Sequence, residues 1–553
     1  MKNLRQKLRE KLKMVPAPVW ILLAILAVGI FLRTYQFHNW LDFGSDQVND
    51  ANRVGAVVKG ESPWPLLGPD MSNSGKGGRH NRFRLGPMYY YFEITSAKIF
   101  GNAPDKMAYP DMLFGILTIP LLYFFLKKYF STNLTLALDG IYTISFYSLK
   151  VSHSAWNINS IPFFTVLFLL SVLEILVHGR EARWFWVVMA GVALGVGVQL
   201  HAIMLVLLPA LALLACAFSV VKDRRTWISW GAIFLLAVVM NTGQIISEYN
   251  TNFRNSEIFL SSVNENGNGG GAGQLLQKFG MDIDCHIESN AYMLTAIGQD
   301  QCDFTLTRVA ESDISRKFSQ KIHDPAFLAG EILSILFSFF GYTYLFYKFK
   351  REKIKEKKYF LGLVGIFSAV SFVVLLPVID PQMRYFIHTF FVPIVFLGLA
   401  IDFLSERYSK EYAGLAIILI FIFLVASNLM TLQPIVAQLS AKERSGPDAI
   451  ALGEMESMAK YMIASSGHQK SIYLISDSSH ANFFKSLAYV AAEKNVNILR
   501  AKESTLIPQG EAEFYLGSPY AGNQSDAGGN KFDDYKNFSD WTGIYRLARH
   551  DAE

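Results

Sequence analysis

Runs of about twenty apolar residues, separated by short polar connectors, recur from the N-terminus to about residue 432. A helix needs roughly 20 such residues to cross the hydrocarbon of a bilayer. The runs predict about eleven crossings, at 19–35, 110–126, 132–149, 157–178, 183–201, 203–220, 227–246, 326–348, 358–378, 385–404 and 411–432. Because they keep recurring, the first is not simply a cleaved leader. The stretch Met88 to Phe100 is short and carries Glu93 and Lys98, so it is expected to be an interfacial or re-entrant helix. Beyond 432 the pattern changes. SIYLISD, VNILRAK, AEFYLGS and WTGIYRLAR read as strands, and SSHANFFKSLAYVAAEKN reads as an amphipathic helix. The expected fold is a polytopic α-helical membrane domain over residues 1–432 followed by a small α/β domain over 433–553.

Charge orients this threading. MKNLRQKLREKLK precedes the first run, and the later basic connectors lie at Lys127–Lys128, Arg180 to Arg183, Lys222 to Arg225, Lys348 to Lys358 and Arg407 to Lys410. All of them fall on one side if the N-terminus is cytoplasmic. The outer segments are then 36–109, 247–325 and the C-terminal domain, which becomes extracytoplasmic, and the bilayer is the plasma (inner) membrane. A composition of 51% hydrophobic and 14% aromatic residues fits a chain solvated by lipid. The net charge of +5 adds little, and no nucleic-acid surface is indicated. The second outer segment contains NENGNGGGAGQ, which reads equally as a passive linker or as a mobile lid over a site. It also holds Cys285 and Cys302, which would pair in an oxidising compartment or stay free in a reducing one.

Candidate chemistry gathers in the outer segments. LDFGSDQVNDANRV spaces Asp42, Asp46 and Asp50 four apart, which on a helix leaves three carboxylates along one face. A solvated acidic face explains that spacing. So does a site in which the central Asp46 is the general base while Asp42 and Asp50 orient substrate or hold a divalent cation. Further on, GKGGRHNRFRLGPMYYYFE clusters Lys76, Arg79, His80, Arg82 and Arg84 ahead of an aromatic helix containing Tyr89, on the side that ordinarily lacks such charge. Cations there suit a lipid phosphate, arginine above all through paired hydrogen bonds. KVSHSAWNINSIPFF offers His153, Trp156, Asn157 and Asn159, an indole and amides that fit either a sugar ring or a membrane anchor. DPQMRYFIHTFFVP puts Arg384 and Tyr385 at the outer start of a crossing with His388 one turn deeper, and Gln199 and His201 end another crossing. Ionisable groups at that depth are costly unless paired. No metal-ligand spacing is present among the cysteines.

In order, FGSDQVNDANRV with PLLGP after it, LGPMYYYFEITSAKIFG, HSAWNINSIPFF, GVGVQLH and RYFIHTFFVP resemble the GT-C superfamily of membrane glycosyltransferases. The likeness is to the dolichyl-phosphate-mannose protein mannosyltransferases and lipid A aminoarabinose transferase, and it covers about the first 440 residues. It implies an outward-facing site, a polyprenyl-phosphate-linked monosaccharide donor, a protein, lipid or glycan acceptor, and inversion with Asp46 as base. Two departures stand out. Gln47 follows Asp46 where relatives carry an acid, with the next acid at Asp50, and Gly86-Pro87 is preceded by Arg84 where relatives often show Lys or His. The phosphate contact is accordingly expected at Arg84. A multi-span transporter or flippase is the second reading, disfavoured because the polar residues gather at one membrane face rather than the midplane. A scaffold presenting the C-terminal domain is the third.

Overall fold

The computed structural model describes residues 16–71, 82–267, 272–297, 302, 325–376, 382–442, 450–467, 469–502, 508, 511–520 and 531–547. Seven helices among them are long and apolar enough to cross a membrane: Ala17–Thr34, Pro104–Leu126, Asn157–Glu181, Ala202–Lys222, Leu328–Arg351, Lys355–Leu375 and Lys410–Gln438. Two bent pairs, Arg224–Met240 with Thr242–Asn250 and Met383–Thr389 with Val392–Arg407, raise the number to nine. The chain is a polytopic helical membrane protein.

Two of the eleven expected crossings take another form. The run 132–149 is broken at Ser145 into Thr132–Ile144 and Phe146–Ser152. Its freed backbone groups are satisfied by side chains, the Tyr142 and Ser145 carbonyls by the Ser148 hydroxyl of the same run and the Phe146 amide by a neighbouring span, as non-helical backbone in a membrane bundle must be. Asn428 accepts the Phe146 N–H at 2.8 Å, and the Ser145 hydroxyl donates to the Met293 carbonyl at 2.7 Å. The run 183–201 is helical only over Trp184–Gly197, after which the chain turns toward His201. Met88–Phe100 is a 13-residue helix packed between Ser45–Val58 and Tyr109–Leu126.

One end of the bundle carries the basic connectors, tied by Lys128 to Glu174 and Glu356 and by Lys348 to Glu406. The two long polar segments and the C-terminal domain lie at the other. In the second segment, Arg254–Gly267 and Ala272–Thr295 are helices, so the glycine-rich stretch begins in the last turn of one and ends in the first turn of the other, with residues 268–271 outside the described residues. Cys285 and Cys302 are joined in a disulfide. The helix bearing Cys285 is held to the spans by His286 to the Tyr342 hydroxyl at 2.7 Å and by Asn428 donating to the Leu294 carbonyl at 2.7 Å.

The C-terminal domain is a five-stranded sheet of order β2-β1-β3-β5-β4, built from β1 (Ser471–Ser476), β2 (Asn497–Arg500), β3 (Ala512–Gly517), β4 (Phe532–Ser539) and β5 (Thr542–Leu547). β1 lies parallel to β2 and β3, and β5 lies antiparallel to β3 and β4. Helices Leu452–Ser465 and Phe483–Ala492 pack with it. The domain is knit into the first polar segment. Phe43 N–H donates to the Ile450 carbonyl at 2.7 Å and Leu452 N–H donates to the Leu41 carbonyl at 2.9 Å, while Asp42 N–H donates to the His153 carbonyl at 3.0 Å.

Candidate active site

Gly44 ends this small three-way pairing and starts the helix Ser45–Val58, which fixes the environment of each acid. Asp42 is not on the helix as expected, because its backbone is taken up by the pairing with Ser154 and Ala451. Its tip reaches solvent, yet the surrounding protein strips enough water to raise its carboxyl to about 6, against the pull of Lys150. Asp46 stands open to solvent in the first helical turn, where the helix N-terminus favours negative charge. Asp50 is buried one turn on, accepts the Tyr90 hydroxyl at 2.6 Å, and is held above the ordinary carboxylate range by desolvation. The stripe of three thus resolves into one open acid and one buried acid on the helix, and a third acid beside it.

Arg84 is positioned by a short hairpin in which Gly68 N–H donates to the Leu85 carbonyl and Met71 N–H to the Phe83 carbonyl. Its Nε and Nη2 both donate to the Gly68 carbonyl, at 3.1 and 2.8 Å, and Nε pairs with Asp70 at 3.2 Å. Asn255 clamps the Arg84 backbone by accepting its N–H at 2.8 Å and donating to its carbonyl at 2.9 Å. The two polar segments therefore meet at Arg84, and its guanidinium is largely spent on holding the loop. Arg82 is exposed beside it, while Lys76, Arg79 and His80 lie outside the described residues.

Across the site, Arg384 is exposed and rests over the rings of Trp156 and Tyr385, 5.3 Å from each centroid. His201 stacks 5.7 Å from Tyr385 and is lowered to about 4 by burial and by the nearby Arg384 charge. No carboxylate pairs with Arg384 among the described residues. Several expected contact residues are engaged within the protein. His153 is buried against Trp40 at 4.0 Å, with Nδ1 on the Leu149 carbonyl. Asn157 is buried and donates to the Leu200 carbonyl. Gln199 accepts the Met88 N–H at 3.2 Å and donates to Gly195 and Met240 carbonyls.

Sequence reasoning missed Asp111, which joins the halves of the site. Its carboxyl accepts the Tyr89 hydroxyl at 3.0 Å and the Ser160 hydroxyl at 3.1 Å, and the Trp156 backbone N–H interacts with it. Tyr89, expected to touch substrate, is fully buried in that bond. A charged residue inside the apolar run Tyr109–Leu126 is a signal that depth makes legible. Among the described residues no group of three His, Cys, Asp or Glu side chains is arranged to hold a metal ion.

A long helical bundle presents an open acid and an open arginine, and a small α/β domain is docked against the acid helix. Residues 85–242 match the dolichyl-phosphate-mannose-protein mannosyltransferase family. Among solved structures, ArnT from Cupriavidus metallidurans bound to undecaprenyl phosphate is similar over 96% of this chain and 98% of that one, at 13% identity and a TM-score of 0.51. The archaeal oligosaccharyltransferase AglB from Archaeoglobus fulgidus, in complex with an inhibitory peptide and a dolichol-phosphate, is similar over 87% of this chain at 12% identity and a TM-score of 0.47. The chain spans 64% of that protein's length. No curated protein sequence matches the chain.

Proposed function

We propose that the protein transfers a hexosyl or pentosyl unit from a polyprenyl-phosphate carrier to an acceptor hydroxyl of a protein, lipid or glycan at the extracytoplasmic face of the membrane. Asp46 takes the hydroxyl proton as that oxygen attacks the anomeric carbon. The bond from the anomeric carbon to the phosphate oxygen breaks, the polyprenyl phosphate leaves with the electron pair, and Arg384 stabilises the charge it gains. One displacement inverts the anomeric centre and requires no carboxylate nucleophile. The observation that carries this reading is that the helix bearing solvent-open Asp46 and the Trp156 ring under solvent-open Arg384 are tied to the same two tyrosines, Tyr90 bonding Asp50 one turn from Asp46 and Tyr89 bonding Asp111, which also holds Ser160 beside Trp156. Arg384 replaces Arg84 as the phosphate cation because Arg84 is committed to Gly68 and Asp70. The fold-mate that holds undecaprenyl phosphate makes such a carrier the donor class to test first. The disulfide supports the extracytoplasmic side, since such bonds persist in oxidising compartments.

General-base catalysis contributes roughly two to four powers of ten. Asp46→Asn, assayed with polyprenyl-phosphate sugars and membrane acceptors, is therefore expected to lose transfer by about 100-fold or more. Its thermal unfolding should match the wild type, because the side chain is exposed. Transfer at the wild-type rate in this variant removes Asp46 as base.

A further inference from the structure

Resting on the reading above, we infer that Asp111 is the positioning residue that sets the Trp156–Arg384 wall against the acid helix. The residues 157–181 form one apolar span whose first turn is the 3-10 segment Asn157–Ser160. The free N–H groups of such a terminus draw negative charge. That segment has no side-chain cap of its own at Trp156, which has extended backbone. Asp111, on the neighbouring helix Tyr109–Leu126, supplies the missing carboxyl from outside. One oxygen takes the Ser160 hydroxyl, and the Trp156 N–H interacts with the same group.

The other oxygen accepts the Tyr89 hydroxyl, and the next residue, Tyr90, holds Asp50 on the acid helix. Asp111 is 1% exposed, so none of these bonds is shared with bulk water. Trp156 is the ring on which Arg384 rests. A displaced carboxyl at 111 would move the indole and, with it, the guanidinium that meets the phosphate. Positioning errors of about 1 Å are enough to lower turnover by about 100-fold. Asp111 is therefore not a catalytic residue, since it touches neither donor nor acceptor. It acts through Trp156.

A double-mutant cycle on the full chain in lipid nanodiscs tests this, with a polyprenyl phosphate as the probe. Asp111→Asn keeps the volume, and Ser160→Ala removes one donor while leaving the carboxyl its Tyr89 bond. Each is expected to weaken polyprenyl phosphate binding about three- to tenfold in the wild-type background, and to have no further effect once Arg384→Ala is present. A merely structural role gives losses that multiply in the Arg384→Ala background, and that result overturns the assignment, as does wild-type binding by both single variants. Hydrogen exchange of residues 156–160 is a second readout that needs no ligand. Asp111→Asn should raise it at least about tenfold while exchange in β1, β3 and β5 stays unchanged, and unaltered exchange overturns the assignment. Wild-type protein that binds no polyprenyl phosphate overturns the donor reading instead, with the exchange measurement still deciding the role of Asp111.

Discussion

Asp46 and Asp50 share a helix face but not an environment, and the difference decides what each does. Tyr90 supplies the 2.6 Å hydrogen bond that Asp50 has in exchange for water. Tyr90→Phe removes that donor and leaves a buried acceptor, so it is expected to destabilise the protein by about 1–3 kcal/mol, read by denaturation in detergent. Asp50 itself has a raised folded-state pKa, so the native state holds its proton more tightly than the unfolded chain does. Its contribution to stability is therefore largest below the ordinary carboxylate range and declines as pH rises through the raised value. Asp50→Asn should flatten the fall in unfolding temperature between about pH 4 and pH 7, and a slope equal to wild type would show that Asp50 is not desolvated. Asp46 and Arg384 stand out in the sequence as polar groups in the outer segments, and both are exposed in the structure. Asp111 and Tyr90 were not legible in the sequence, because their partners lie 49 and 40 residues away and only the packed helices bring them together.

Elements were legible where hydrophobic length alone specifies them, and less so where contacts between elements decide. The long spans announced themselves, whereas the break at Ser145 depends on Asn428, a residue 282 positions from the amide it satisfies. Strand β4 carries FDDYKNFS, mostly exposed, with no apolar alternation to betray it. It is a strand because β5 pairs with it, and its charges suit a sheet edge. The hairpin that positions Arg84 depends on two glycines in close approach, with unequal tolerance. A Cβ at Gly68 would stand 2.1 Å from the Gly86 carbonyl oxygen, which is backbone, and one at Gly86 would meet the Gln199 side chain at 2.3 Å. Backbone cannot step aside without disturbing the loop, while a side chain can change rotamer. Gly68→Ala should therefore lower stability and transfer more than Gly86→Ala does. Unfolding temperatures in the opposite order would show that the Gln199 bonds to Gly195, Met240 and Met88 are the stiffer element.

At the scale of the whole molecule, the C-terminal domain is a wall of the candidate site rather than an appendage. Its helix Phe483–Ala492 sits against the start of the acid helix, with Lys485 Nζ donating to the Ser45 hydroxyl at 2.9 Å and the Ser486 hydroxyl donating to the Phe43 carbonyl at 2.6 Å. The sequence marked the domain's composition but not this docking, which depends on surface complementarity. His38 is the ionic part of the same contact. Its Nε2 lies 3.0 Å from Glu456 of the C-terminal domain and its Nδ1 lies 3.3 Å from Asp105 of the membrane domain. Those two bonds, that to Asp105 first, outweigh desolvation and raise His38 to about 9, while the His38 bond lowers Glu456. A histidine with a raised pKa contributes its full share to docking below about pH 6.5, its unfolded value, and loses it as pH rises through 9. Glu456 works in the opposite sense, with a contribution present above its unfolded pKa and lost in acid. The wild-type domain is therefore expected to loosen between about pH 7 and pH 9.5, seen as rising hydrogen exchange in residues 450–465, and His38→Gln should be already looser at pH 7 and nearly flat across that range. Parallel pH curves for the two proteins would assign the docking to the backbone pairing at Phe43 and Leu452 alone.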